Sequence, residues 1–211
     1  MTRLIRSAIA IVRRHRRAYV VLNVAYYGLV ALSMVLVTSH PEVQALLTQS
    51  VLEGFSEGLF ARVAGAYAGG DVLTAAVLTF LVNLFLGSVV VLLLPSLLIP
   101  FAGVAGGAVR AVLWGLLLAP TTPELQAGMI PHSLTLLLEG QGYILAILAA
   151  WVLGRAFVSP ASVGATRWLQ GYGIGLKKAL NVYILVAIVL AVAAVYEALE
   201  VIYLVPLFLP N

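Results

Sequence analysis

Glu139 is an acidic residue inside residues 131–160, a stretch of thirty that is otherwise almost wholly apolar. An ionised carboxylate in hydrocarbon costs about 2.5–3.5 kcal/mol on insertion scales, so such a residue usually pairs, takes up a proton or lines a polar cavity. Glu139 is therefore the first candidate for a functional residue.

Arg110 and Glu197 are two further charged residues in apolar surroundings. Arg110 lies eight residues before Leu118, Glu197 lies eight before Val205, and Glu139 follows His132 by seven. At about 1.5 Å per residue, all three lie about 10–12 Å below one membrane surface. We predict a cluster in which Arg110 bridges the two glutamates. The cluster is either a functional site or a link that holds the bundle together.

Other polar residues in the apolar segments extend this cluster without predicting catalysis. His132 shares a helix face with Glu139. Asn83 has an amide side chain and lies in an earlier apolar segment. A zinc site would need more ligands, no HExxH pattern occurs, and Ser133 does not face its neighbour His132 on a helix. We predict no catalytic residue, metal or cofactor.

The composition identifies the class of protein. Hydrophobic residues make up 63% of the chain and charged residues 9%, against about 45–50% and 25% in soluble domains. An integral membrane protein follows. The chain has no cysteine, which excludes disulfides and thiolate sites. We attribute the net charge of +4 to topology and to attraction by anionic lipid, and we expect no nucleic-acid partner.

Charge-free intervals predict an all-α bundle of about five membrane spans, each of about 20 residues. The 38 residues between Asp71 and Arg110 would form a helix of about 57 Å, so we expect the chain to fold back near Pro95 and Pro100. The predicted spans are 18–37, 72–94, 99–118, 132–158 and 179–205.

The first outer segment, 40–70, is predicted to be an amphipathic helix rather than a linker. Apolar residues recur there at every fourth position. A capping pattern at Thr121 to Glu124 predicts a second short outer helix over 125–129. The remaining parts of this single domain, 1–211, are a basic start (1–17) and an inner loop (159–178). The apolar residues of the outer helix are Val43, Leu47, Val51, Phe55, Leu59 and Val63.

Glycines mark predicted helix contacts. Gly103 and Gly107 have the GxxxG spacing that lets backbones approach closely, and Gly106 and Gly154 are further candidates. The glycines of 171–175 are instead interpreted as part of the inner loop.

Arginine and lysine placement predicts the orientation. With the N-terminus cytoplasmic and the C-terminus external, ten of the twelve basic residues lie on the inner side. The acidic residues then lie in the outer loops or in the outer halves of helices.

Residues 72–160 resemble the stage II sporulation protein M family of multi-span membrane proteins, which is also classed as a domain of unknown function. The likeness rests on Asn83 with Gly87, Ala102-Gly103 with Gly106, Pro131-His132, Glu139 and Gly154. An asparagine that members carry is replaced here by Ala102, and their interval from histidine to glutamate is shorter. The resemblance implies a membrane anchor that gathers partner proteins.

Three functions remain open. The first is a non-enzymatic scaffold that assembles membrane or envelope proteins, with a homo-oligomer as a further expectation. The second is a transporter or permease component with an intramembrane polar site. The third is an intramembrane hydrolase. A water-accessible cavity at Glu139 would favour transport or catalysis, whereas close packing would favour a scaffold.

The orientation can be tested with single cysteines in this cysteine-free chain. We expect an impermeant thiol reagent to label the Ser56→Cys variant in intact cells and to leave the Ser162→Cys variant unlabelled until the membrane is opened. Labelling of the Ser162→Cys variant in intact cells would show that the predicted topology is wrong.

Overall fold

The computed structural model describes residues 2–54 and 58–209, and within these ranges every regular element is helical. The predicted all-α membrane bundle is confirmed. The helices are α1 (Thr2–Arg14), α2 (Arg16–Val37), α3 (Pro41–Gly54), α4 (Gly58–Ala68), α5 (Val72–Leu98), α6 (Ala102–Leu118), α7 (Pro123–Val158) and α8 (Trp168–Phe208), with a 3-10 turn at Pro160–Val163.

Four helices, α2, α5, α7 and α8, are long and apolar enough to cross a membrane. The predicted third span corresponds to α6, which is apolar but shorter, with 17 residues over about 25 Å. The chain turns between α5 and α6 at Ile99, which is extended, and Phe101, which has a φ of 65°.

Three prolines lie inside helices that continue past them. A π-helical stretch, Val82–Leu93, precedes Pro95 in α5, and another, Glu200–Leu204, precedes Pro206 in α8. Proline removes one backbone donor and crowds the preceding turn, and a wider π turn relieves this locally. Pro131 lies within α7. The separate helix predicted at 125–129 is therefore wrong, because those residues form the first turns of α7.

The centre of the bundle is α7, whose residues 142–150 are all buried. It packs most extensively on α8 and also contacts α2, α6 and the π-helical part of α5. Around it, α2 packs on α6 and α5 packs on α8. The basic helix α1 lies along α8, where Asn181 Nδ2 donates to Ser7 Oγ at 2.7 Å.

Helices α3 and α4 lie over the end of the bundle where α2 ends and α5 begins, which we call the capped end. The opposite end, where α1 lies, is the α1 end. The predicted outer helix is two helices, and Val63 of α4 is buried while Val43 and Val51 of α3 are each 39% exposed. Phe55 lies outside the described residues.

The buried residue of α3 is polar. Gln44 Nε2 donates to the carbonyl oxygens of Leu117 and Ala119 at 3.0 and 2.9 Å. These hydrogen bonds, rather than the apolar stripe, fix the rotation of α3 against the end of α6.

The predicted inner loop over 159–178 is wrong beyond residue 167, because α8 begins at Trp168. Gly171 and Gly175 face α7. A Cβ atom at Gly171 would lie 2.3 Å from the carbonyl oxygen of Ala156. These glycines serve helix packing, which lets α7 and α8 approach closely.

The four glycines predicted at helix contacts all lie at close contacts towards the α1 end. A Cβ at Gly103 would lie 2.3 Å from Leu92 O, and one at Gly107 would lie 2.2 Å from Ile147 Cδ1. Gly106 lies against α5, and Gly154 lies against the ring of Phe101. This half of the bundle is closely packed.

We expect Gly103→Ala to lower the free energy of unfolding by about 1–3 kcal/mol, because its methyl group would overlap a backbone oxygen that cannot move alone. Gly173→Ala in α8 is the matched control, since nothing lies within 4 Å of its Cβ position. Unfolding in mild detergent measures both variants. Equal stabilities would contradict the packing described here.

Candidate functional site

A cavity of about 560 Å³ lies between α5, α6, α7 and α8 under the cap helices. On α5 the lining comes mainly from the π-helical stretch, and on α6 it comes from Arg110, Trp114 and Leu118. All five residues predicted to form the polar cluster line this cavity: Asn83, Arg110, His132, Glu139 and Glu197.

Glu139 is 6% exposed and is held by an amide from another helix. Asn83 Nδ2 donates to Glu139 Oε1. Asn83 is the second residue of the π-helical stretch of α5 and is itself buried. This contact joins α5 to α7 at the cavity wall.

Glu197 of α8 lies beside Glu139 of α7 at the cavity lining, close enough for the two carboxyl groups to interact. Two ionised carboxylates offer each other only acceptors, so a proton shared between them would stabilise this contact. Glu197 Oε2 is buried and has no hydrogen-bond partner within residues 2–54 and 58–209. We call these two glutamates the carboxyl pair.

Tyr67 of α4 closes the cavity above this pair. Its hydroxyl lies beside Glu197 and forms a hydrogen bond of 3.0 Å with Thr79 Oγ1. Burial, reinforced by the charge of Glu197, raises the pKa of Tyr67 well above its usual value. The hydroxyl therefore remains a donor at every physiological pH.

Arg110 lines the same cavity, but the predicted bridge to the glutamates is wrong. Among the described residues, the ion pairs within 4.0 Å involve only histidines and do not include Arg110. Its Cζ instead lies 3.5 Å from the centroid of the Tyr143 ring and 4.7 Å from that of Trp114. Aromatic faces attract a guanidinium and give it a planar support.

The edge of the Arg110 guanidinium is close to α5. A Cβ at Gly87 would lie 3.3 Å from Nη1 of Arg110 and 3.0 Å from the Tyr143 hydroxyl, so a side chain there would crowd both groups. Arg110 Nε is buried without a partner in the described part of the chain. Arg110 is the central residue of α6, so its charge lies midway along that helix.

His132 pairs with an acid that the predicted cluster omits. His132 Nδ1 lies 3.0 Å from Glu200 Oε1, and Thr135 Oγ1 donates to the other oxygen of Glu200. Glu200 is fully buried and begins the π-helical stretch of α8. The His132–Glu200 pair joins α7 to α8 beside the cavity, towards the capped end.

Sequence reasoning missed the aromatic and hydroxyl partners of the cluster, although helical spacing could have found several. Tyr143 follows Glu139 by four residues, and Trp114 follows Arg110 by four. Residues three or four apart share a helix face, so each partner lies next to a predicted residue. Tyr67 comes from a separate helix and carries no such signal.

Two hydrolytic arrangements considered in the sequence analysis, a metal site and a Ser133 nucleophile, are not formed in the described residues. In the ranges that the structure describes, no three histidine, aspartate or glutamate side chains are placed to hold a metal ion. Ser133 is exposed and its Oγ donates to the Ile130 carbonyl oxygen at 2.9 Å.

Comparisons of this chain with protein-family models, with curated proteins and with solved structures found no match. The resemblance to the stage II sporulation protein M family therefore stays a prediction. Functional reasoning depends on the geometry of the cavity.

The contact between Asn83 and Glu139 can be measured with a double-mutant cycle. Asn83→Leu should lower the free energy of unfolding by about 1–3 kcal/mol, because it leaves a buried carboxyl oxygen without its donor. In a Glu139→Leu background the same change should cost much less.

Ser88→Ala is the control for this cycle. Ser88 lies in the same π-helical stretch, but its Oγ donates to the Tyr183 hydroxyl at 3.1 Å. Its effect should be the same with and without Glu139. Additive effects of Asn83→Leu and Glu139→Leu would show that the contact contributes no coupling energy.

Proposed function

We propose that this protein is a membrane transporter, or the membrane component of one, that binds a small solute in the cavity between α5 and α6. The single observation that carries this proposal is the cavity itself. Its volume of about 560 Å³ lies in the usual range of small-molecule sites, and it brings a guanidinium and two carboxyl groups together inside an apolar bundle.

The polar groups at this cavity fit a binding role better than a purely structural one. Groups that only hold helices together are expected to satisfy each other's hydrogen bonds, as Gln44 does on α3. Arg110 Nε and Glu197 Oε2 instead lack partners among the described residues. Intramembrane charges with unused bonding capacity are typical of substrate and proton sites.

The two ends of the bundle differ in a way that suits alternating access. Towards the α1 end, Gly103 and Gly107 allow α6 to pack directly on α5 and α7. Towards the capped end, the cavity is covered by side chains of α3 and α4, including Val51 and Tyr67. Transport requires the solute to reach both sides in turn, so the glycine contacts are the natural inner gate and the cap is the outer one.

The orientation of the cavity follows from the basic residues. We propose that the N-terminus and the α1 end are cytoplasmic and that the capped end is external, since the arginines of α1 and the following turn lie at the α1 end. The cavity would then open first towards the outside. The scaffold function, its envelope partners and a homo-oligomer stay predictions.

Access to the cavity from both sides is the test of transport. We expect an impermeant charged thiol reagent to modify the Leu136→Cys variant both in right-side-out and in inverted vesicles, because Leu136 lines the cavity. Ile147→Cys is the control, since Ile147 is 2% exposed in the packed half. It should react slowly from either side.

Modification of the Leu136→Cys variant from one side only would show a binding pocket without transport. Failure to react from either side would show that water does not reach the cavity. Equal rates for the Ile147→Cys variant would show that the two halves of the bundle do not differ.

A further inference from the structure

The charge and hydrogen-bonding capacity at one wall of the cavity define the class of its ligand. Two residues of the cavity lining each have a buried polar side-chain atom without a partner in the described residues, Arg110 Nε and Glu197 Oε2. The Tyr143 hydroxyl also lacks a partner there, and its ring lies against the Arg110 guanidinium. A polar ligand group at this wall would add hydrogen-bonding capacity where the protein leaves it unused.

Arg110 is the cationic part of this wall. No carboxylate of the described chain lies within ion-pair distance of it, and the rings of Tyr143 and Trp114 support its plane. A guanidinium whose faces lie on aromatic rings donates hydrogen bonds in its own plane, the geometry that suits a planar or tetrahedral oxyanion. This wall of the cavity therefore suits an anionic group.

The remainder of the cavity is apolar. Much of the other lining comes from aliphatic and aromatic side chains of α3 to α7: Val51, Phe60, Leu86, Val91, Leu118 and Leu136. Leu86 and Val91 are also exposed on the outside of α5, so the cavity continues towards the lipid side of that helix. An apolar body attached to the anionic head fits this lining.

The carboxyl pair sets the proton count. Glu139, Glu197 and Arg110 line the same cavity. With one proton shared between them, the two carboxyl groups carry one negative charge together, which balances the single positive charge of Arg110. A monoanion at Arg110 would leave an uncompensated negative charge inside the bundle, which is costly in hydrocarbon. A second proton on the pair restores neutrality.

We propose that the cavity binds an amphiphilic monoanion, with its head on Arg110 and its apolar body under the cap, together with one proton taken up by the Glu139–Glu197 pair. This inference rests on the proposed function only in using the same site, because binding and proton uptake can be measured without transport.

Other titratable groups also lie around the pair. The hydroxyls of Tyr67 of α4, Tyr26 of α2 and Tyr143 of α7 lie near it. His132 of α7 and Glu200 of α8 already bind each other. Asn83 and Thr79 of α5 do not titrate.

The experiment uses the purified full chain in nanodiscs and hexanesulfonate as the probe, a permanent monoanion with a short apolar tail. Calorimetry in buffers of different ionisation enthalpy gives both the affinity and the protons taken up. We expect the protein to take up one proton per bound anion at a pH where the ligand-free carboxyl pair lacks its second proton. In that pH range the affinity should fall about tenfold for each unit rise in pH.

Two sets of variants separate the roles. Arg110→Met should weaken binding by at least about tenfold, and Arg110→Lys should recover part of the loss, because the charge returns without the planar fork. Arg155→Met is the matched control. Arg155 lies 5.2 Å from the Trp151 ring at the α1 end, outside the cavity lining, and its loss should leave binding unchanged.

The double variant Glu139→Gln with Glu197→Gln should bind hexanesulfonate without proton uptake and with an affinity independent of pH. Its amides keep an acceptor for Asn83, so folding is preserved. Hexyltrimethylammonium should not compete, and sulfate should compete far more weakly than hexanesulfonate.

Binding of the cation in preference to the anion, or equal binding of sulfate and hexanesulfonate, would overturn the ligand class. Binding without proton uptake by the unmodified protein would overturn the coupling. If the Leu136→Cys variant reacts from one side only but binding is still linked to proton uptake, the transport proposal fails and the ligand proposal stands.

Discussion

The cost of placing charge in hydrocarbon governs the arrangement of this protein. A guanidinium, three glutamates and an imidazole lie inside or beside an apolar bundle, and they contact different partners. Arg110 lies on aromatic rings, Glu139 and Glu197 lie beside each other with an amide donor from Asn83, and Glu200 binds His132. Because these contacts form separate groups rather than one ion pair, a cavity remains among them.

The π-helical stretches place two of these groups. Asn83 and Glu200 are the second and first residues of the two stretches, and each stretch ends shortly before a proline. A π turn adds a residue to the helical repeat and so rotates the side chains that follow it relative to a regular helix. Pro95 and Pro206 do not end α5 and α8. Each follows a π-helical stretch whose polar residue faces α7.

The glycines explain why the cavity occupies only half of the bundle. Where Gly103, Gly107 and Gly154 lie, the absence of a side chain lets neighbouring backbone, Ile147 and the ring of Phe101 pack against the helix without intervening space. Towards the capped end no comparable glycine contact joins α5 to α6 in the described residues, and the larger side chains of Leu86, Trp114 and Leu118 keep the helices apart around the cavity. Glycines towards the α1 end and bulky side chains towards the capped end thus give the pair α5 and α6 a packed part and an open part.

The sequence by itself determined the membrane class, the all-helical fold and the candidate polar residues, because hydropathy and charge are local properties that need no knowledge of neighbouring helices. It also located Gly103 and Gly107, since their spacing is read along one helix. The partner of each charge was decided by tertiary structure. Arg110 contacts the Tyr143 ring rather than forming an ion pair with Glu139, and His132 contacts Glu200. Rotation about the helix axes and the wider π-helical turns set which side chains meet. Tertiary packing also explains why α8 begins at Trp168. The glycines of this segment predict a loop by themselves, but close packing of Gly171 on α7 stabilises the helix there.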